Sequence, residues 1–468
     1  MRISPLSFLF PPLLVYGVLL LVPDSKEETR PNVVIVFTDD AGYADFSFQG
    51  SKTHLTPRID SIAANGTRFT NGYVSASVCS PSRAGLLTGR YQQRFGHESN
   101  LPGAKDKAVP DSIRGLPVTE ITIADLLKKE GYATGIVGKW HLGMETPFHP
   151  TRRGFDEFFG MLGGSSSYHP GEAKKIQCNF KEVDPITLPY LTDAFGDEGA
   201  DFVNRHKGEP FFLYLSFNAP HGPLHARPDY VAEAKVAFET ESRAINAAMT
   251  RSLDDNVGKV LDALEIAGLT RNTLIFFLND NGGAMPYNAS LNSPLRGTKG
   301  TCLEGGIRVP FSFQWPAKLR RGKTETRPVI SLDLLPTIMS AVGAELPADR
   351  IFDGVNLIPF LTNGWAYGVM LPHETLYWKL NWAAAIRKRD WKLIRTPDNQ
   401  HWLFNLATDP GEDKNKFEAK PKIAEELLAD LKAWESQLMT PIWTTSPQWK
   451  KHSLQRYNQE TVNGFQKN

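Results

Sequence analysis

Asp39 and Asp40 stand together in "FTDDAGYAD", Asp280 and Asn281 in "LNDNGG", Lys139 and His141 in "GKWHLG", and His221 in "NAPHGPL". Three carboxylates and an amide oxygen are donors for a hard cation, while histidine and lysine move protons or hold anions. Gathered at about 4 Å, carboxylates repel by roughly 4 kcal/mol per pair at an effective dielectric near 20. Positive charge among them is therefore required. Oxygen donors without cysteine or a histidine trio suit calcium, with magnesium as the alternative, and disfavour zinc. A second set lies in "SVCSPSRAGLLTGRY", where Pro81 suits the first turn of a helix and so puts Cys79 at or near a helix N-terminus. That end of a helix attracts anions, and Arg83 adds a full charge and a planar fork for a tetrahedral oxyanion.

Each of these residues alone has a bland reading as a turn acid, a packed histidine or a solvated lysine. Their positions in the chain argue otherwise. The apolar runs "NVVIVFT", "YATGIVG", "FFLYLSF" and "NTLIFFL" read as strands, and each is followed directly by one of the polar sets. Between them lie helical patterns, the signature of a parallel sheet with crossover helices, whose ligands sit beyond the carboxyl ends of the strands. "TEITIADLLKKEG" reads as a helix capped by Thr119 and stopped at Gly131. A longer one turns Met249, Leu253, Val257, Val260 and Leu264 to one side.

After about Pro372 the pattern changes. "AAAIRKRDWKLIRT" and "HWLFNL" read as strands of a small antiparallel sheet, and a helix over Pro421–Leu438 would bury Ile423, Leu427, Leu431 and Trp434. The stretch from Thr440 reads as polar and irregular. The expectation is an α/β fold: a large, mostly parallel sheet flanked by helices over residues 31–372, and a smaller C-terminal subdomain of antiparallel sheet plus helix over 373–468.

A formal net charge of +1 leaves no basic excess to hold nucleic acid. Met1–Val22 has an early arginine and an apolar run broken by Pro11 and Pro12, so residues 1–24 read as an export signal or a retained N-terminal membrane anchor. Either places the rest outside the cytosol, in a periplasmic, secreted or other extracytoplasmic setting. Three cysteines are too few and too odd for a disulfide framework; a Cys178–Cys302 bridge would leave Cys79 free.

Cys79-Ser80-Pro81-Ser82-Arg83 resembles the Cys-x-Pro-x-Arg signature of the formylglycine-dependent sulfatases of the alkaline phosphatase superfamily. "NVVIVFTDDAGYAD", "GYATGIVGKWHLG", "NAPHGPL", "NDNGG" and "LRGTKGTCLEGGIRVP" extend the likeness in order, and "LFNLATDPGEDKN" carries it into the C-terminal part. The resemblance implies that a separate maturation enzyme oxidises Cys79 to Cα-formylglycine. One hydroxyl of its hydrate would attack sulfur and the other would expel sulfate. Asp39, Asp40, Asp280, Asn281 and residue 79 are then the ligands of one calcium ion. Arg83 and Lys139 hold residue 79 and the sulfate, His141 takes a proton during elimination, and His221 and Lys299 bind sulfate and assist the leaving oxygen. Lys299 has no signal apart from this resemblance. Asn279 departs from the serine common at its position. His97 and His225 stand in loops where a pocket wall or the surface would suit them. Tyr168, His169, Tyr190, Trp378 and Trp382 suit a sulfated carbohydrate substrate. The competing readings are a phosphonate monoester hydrolase or phosphodiesterase of the same superfamily, and a non-catalytic carbohydrate-binding relative.

Overall fold

Asn32–Thr38 is almost wholly apolar and rich in valine and isoleucine, the composition of a strand covered on both faces. In the computed structural model, which describes residues 30–103, 108–173, 175–362, 370–445 and 447–458, it lies inside a ten-stranded sheet. Five central strands run parallel in the order Thr273–Asn279, Asn32–Thr38, Phe211–Ser216, Ala133–Lys139 and Glu157–Met161. Phe311–Gln314 adds antiparallel on one side and Ile176–Cys178 on the other. The α/β class read from the sequence is borne out.

Alternation along each strand feeds two cores. Val33, Ile35 and Phe37 pack with Leu86 and Leu87 of the Cys79–Thr88 helix and with Ile338 of the Leu334–Val342 helix. Val34 and Val36 face the opposite way, toward the Leu191–His206 and Glu241–Ile266 helices. Met249, Leu253, Val257, Val260 and Leu264 are all buried on that second side.

A separate four-stranded antiparallel sheet runs Thr375–Leu380, Ala383–Lys388, Trp391–Arg395 and His401–Asn405. With the Pro421–Glu435 helix it shares a core that includes Tyr73, Tyr91, Ile307 and Ile330. Lys392, fully buried, reaches Glu304 at 2.8 Å and Glu412 at 2.9 Å. This buried ion network and the shared core bind the C-terminal sheet to the rest, and Pro31–Asn468 forms one compact unit.

Several local expectations are corrected. The helix after the Thr119 region starts at Ile123, because Thr122 and Asp125 form a reciprocal capping box that Thr119 has no acid to complete. In the C-terminal helix Ala424 takes the buried position and Ile423 is only partly covered. The tail is not irregular throughout: Pro447–Asn458 is helical. Its anchor is a tertiary contact with no periodic signal, since the buried Tyr457 hydroxyl accepts from the Cys302 amide at 2.7 Å. Cys302 is buried while Cys178 is exposed, and both are free thiols. Met1–Val22 lies outside the described residues. Among the described residues no helix is long and apolar enough to cross a membrane.

Candidate active site

Strand register brings the acids together. Thr38 pairs with Asn279 in adjacent parallel strands, so Asp39 and Asp280 leave the sheet side by side. Asp40 then turns into the left-handed region at φ 61°, which aspartate tolerates better than bulkier residues. Asn288 Nδ2 and Ser290 Oγ both donate to the Asp40 carbonyl at 2.8 Å and hold that turn. Asn279 joins the two loops: its Oδ1 accepts from Thr38 Oγ1 at 2.7 Å and its Nδ2 donates to the Ala41 carbonyl at 2.8 Å. An amide can do both at once, which gives the departure from serine a structural purpose.

Cys79 opens its helix as expected, with Pro81 in the first turn. Its sulfur lies 3.1 Å from Lys299 Nζ and 3.6 Å from Asp39 Oδ1. Burial pushes the thiol up to about 12, against the pull of Lys139 and Lys299. It is therefore protonated at neutral pH and poor as a thiolate nucleophile. Arg83 is fully buried beneath it and donates to Asp280 Oδ2 at 2.9 Å and to Ser216 Oγ at 2.6 Å. Lys139, also fully buried, meets Asp39 Oδ2 at 2.5 Å. Lys299 sits 2.7 Å from Asp40 Oδ1, and its backbone is held by the Gly283 carbonyl and by Arg456.

The positive charge demanded by repulsion is thus supplied at least partly by side chains. Burial alone would raise Asp40, but Lys299, His221 and Lys139 hold it well below the usual carboxylate range. Asp280 moves the other way, to about 7, through burial and its neighbour Asp39, with Arg83 opposing. Repulsion by itself therefore does not establish a metal. The donor set does bear on one: Asn281 Nδ2 donates to Asp40 Oδ1 at 2.7 Å, leaving its own Oδ1 buried without a partner. Ligand atoms of Asp39, Asp40, Cys79 and His221 all lie within 4.8 Å of one another. Asp39, Asp40 and the bare Asn281 oxygen fit a hard divalent cation, while the same cluster also brings the Cys79 sulfur and a His221 nitrogen, which the expectation of purely oxygen donors did not include. Arg83, Lys139 and Lys299 offset the three carboxylates, so such a cation would leave the site positive toward an anion.

His221 Nδ1 lies 2.5 Å from the Gly222 carbonyl, which can only accept, so Nδ1 carries the proton and Nε2 offers its lone pair 3.5 Å from Asp40 Oδ2. Burial lowers His221 to about 4, with Asp40 opposing. His141 adopts φ 56°, and burial and then Lys139 depress it well below the ordinary value. Gly164 lies close against its ring: a Cβ there would stand 2.8 Å from Nε2, so a larger residue would make the imidazole shift.

His97 is neither surface nor pocket wall. It is fully buried against Trp443, ring centroids 4.8 Å apart, with Nε2 2.7 Å from Ser80 Oγ. Ser80 Oγ donates its one hydrogen to the His141 carbonyl, so it accepts from Nε2, and Nδ1 is left bare and unpartnered. Burial lowers this imidazole to about 3. The unfolded ring binds its proton near 6.5, so stability is complete above that pH and falls by about 1.4 kcal/mol per unit below it until about pH 3. Unfolding followed from pH 7 to 4 should steepen below 6.5, and His97→Gln should remove part of that slope.

His225 packs on His169 at 4.4 Å and bonds Ser167. Tyr168, Tyr190 and Trp378 are buried and cannot face a sugar; Trp378 Nε1 donates to the Val74 carbonyl at 2.7 Å. His169 and Trp382 remain partly exposed. The supporting residues Ser216, Asn288 and Ser290 had no signal in the sequence, because ordinary polar loop residues acquire this role only by where the fold puts them.

Residues 31–344 match the sulfatase family, and residues 298–438 match a family described as N-sulphoglucosamine sulphohydrolase, C-terminal. The chain belongs to the sulfatase family. Among similar proteins, N-acetylgalactosamine-6-sulfatase of Mus musculus is 33% identical over 82% of this chain and 76% of its own length. Arylsulfatase A of Bos taurus is 32% identical over 86% of this chain and 87% of its own. The crystal structure of Ps i-CgsB in complex with k-i-k-neocarrahexaose superposes with a TM-score of 0.82, at 33% identity, over 93% of this chain and all of that one. Sulfatases are sulfuric ester hydrolases, and that is the class of this enzyme.

Proposed function

We propose that this sulfatase works outside the cytosol on a sulfated carbohydrate, using Cα-formylglycine formed at Cys79 by a separate maturation enzyme, with one calcium ion. Residues 31–372 would carry the chemistry, and 373–468 would complete the fold and border the substrate. The observation that carries the reading is the placement of Cys79: a buried thiol at a helix N-terminus, 3.1 Å from Lys299 and 3.6 Å from Asp39. A thiol buried among those charges is well placed as a precursor of the reacting group. The carbohydrate relatives named above support the substrate class.

Asp39, Asp40, Asp280, Asn281 and residue 79 would hold the calcium ion, which supplies Lewis acidity and charge neutralisation when bound. Oxidised and hydrated, residue 79 would offer one hydroxyl to sulfur and a second to release sulfate. Arg83 fixes Asp280 and so the position of the acids around residue 79. Lys139 and Lys299 bring fixed positive charge to a buried site, where it stabilises anionic oxygens more strongly than in water. His141, neutral and without a partner at Nδ1, is suited to accept a proton during elimination. His221 is also neutral, with Nε2 as an acceptor, so it must first gain a proton to serve the leaving oxygen as a donor.

Mass spectrometry of the peptide containing residue 79 should find the aldehyde after expression with a competent maturation system, and an unmodified thiol in active enzyme would refute the nucleophile assignment. The matured enzyme should cleave sulfate esters in preference to phosphate mono- and diesters; the opposite order would favour the phosphonate hydrolase reading. Chelation should abolish turnover and remove roughly 2.7 kcal/mol of stability if the ion had been present at a hundred times its Kd. Calcium should restore both properties and magnesium should do so poorly.

A further inference from the structure

Lys299 reaches residue 79 from a turn that its own sequence leaves loose. Its Nζ lies 3.1 Å from Cys79 Sγ and 2.7 Å from Asp40 Oδ1, yet Gly300 follows it at φ 84° and Gly297 stands just before it at φ 96°. Glycine adopts left- and right-handed backbone about equally, so the peptide group between residues 299 and 300 can rotate there at little cost. Rotation would change the ψ of Lys299 and so the direction its side chain takes from the loop. The turn by itself does not aim the ammonium.

The fold clamps this one peptide group at both ends. Its N–H, from Gly300, donates at 2.7 Å to the carbonyl of Ser77, two residues before residue 79. Its carbonyl, from Lys299, accepts at 2.9 Å from Nη1 of Arg456, 157 positions later in the chain. The charge on the donor makes that bond stronger than one between neutral groups. Gly300 is what admits the guanidinium, since a Cβ there would stand 2.5 Å from Nη1. Arg456 is placed in turn by the final helix, Pro447–Asn458. Its neighbour Tyr457 is fully buried, accepts from the Cys302 amide at 2.7 Å and packs its ring 5.9 Å from that of Trp402 in the C-terminal sheet. The Arg456 guanidinium also lies 5.7 Å from the centre of the Tyr287 ring, within cation–π range.

We propose that Arg456 is a positioning residue for Lys299: by fixing the 299–300 peptide it keeps the ammonium aimed at residue 79 and at the oxygen that leaves. It acts through Lys299 and takes no part in the chemistry itself. The final helix thereby has a role in turnover as well as in folding. The assignment rests on the reading above, in which Lys299 assists the leaving oxygen of a sulfate ester.

The test compares, on matured enzyme, para-nitrophenyl sulfate, whose phenolate leaves readily, with phenyl sulfate, whose oxygen needs more help. Arg456→Met should lower kcat/KM about tenfold for phenyl sulfate and less than about threefold for para-nitrophenyl sulfate, because assistance to the leaving oxygen counts most where the leaving group is poorest. A purely structural loss would lower both alike. Gly300→Asn tolerates the left-handed backbone but drives the guanidinium off the carbonyl, and should reproduce the selective loss. Arg456→Lys, which keeps a charged donor, should recover most of it. In a Lys299→Met background, Arg456→Met should cost less than about twofold more, since the group it positions is gone. Equal losses on the two esters in both folded variants, or full additivity with Lys299→Met, overturns the assignment. A matured wild-type enzyme that cleaves no sulfate ester overturns the underlying reading, and the positioning role with it.

Discussion

Cys79→Ala should reduce sulfate ester turnover by at least about 10⁴-fold while leaving the fold in place. The residue's contribution is chemical: among the described residues the polar partners of its sulfur are Lys299 and Asp39, and truncation removes one buried heavy atom. Loss of so small a group from a packed site costs on the order of 1 kcal/mol. Thermal unfolding and kinetics on the same preparation separate the two effects. Retention of more than a hundredth of wild-type activity, with folding intact, would mean that another group supplies the nucleophile.

Arg83→Met should be the most destabilising substitution in the site. The methionine keeps much of the side-chain volume but leaves the Asp280 carboxylate without its 2.9 Å partner and the Ser216 hydroxyl without its donor. Breaking a buried ion pair from one side costs about 3–5 kcal/mol; here Asp280, which burial and Asp39 already raise to about 7 against Arg83, would take up a proton once Arg83 is gone. Denaturant unfolding should reveal that loss, and the Arg83→Met/Asp280→Asn double variant should recover part of it. A change below about 1 kcal/mol in the single variant would contradict the assigned geometry. Activity should vanish in both, since Arg83 also orders the acids around residue 79.

Much of the site was legible because parallel sheets concentrate function at one edge. Once four apolar runs were recognised as strands, the residues after them had to converge, and Asp39, Lys139, His221 and Asp280 do so. The helix start at Cys79 followed from Pro81 and from the change in pattern around it. Side-chain direction was less accessible. Tyr168, Tyr190 and Trp378 have the composition of a sugar platform, yet each is buried: the two tyrosines stand outside strands and helices, where no periodicity tells which way a ring faces, and Trp378 lies on a strand face covered by the rest of the fold. His97 likewise stands in a polar stretch but is drawn inside by Ser80 and Trp443, residues that are distant in sequence or unremarkable in type.

What the chain determined locally was the order of strands and helices, the polar residues at the strand ends, and the odd cysteine with its proline and arginine, because these depend on neighbours within a few positions. What only the tertiary structure decided was the balance of charge around residue 79, the bare Asn281 oxygen, and the clamp of Arg456 on Lys299. Those properties depend on contacts between residues tens to hundreds of positions apart. Electrostatic energy and packing act through distance in space, and folding alone converts one separation into the other.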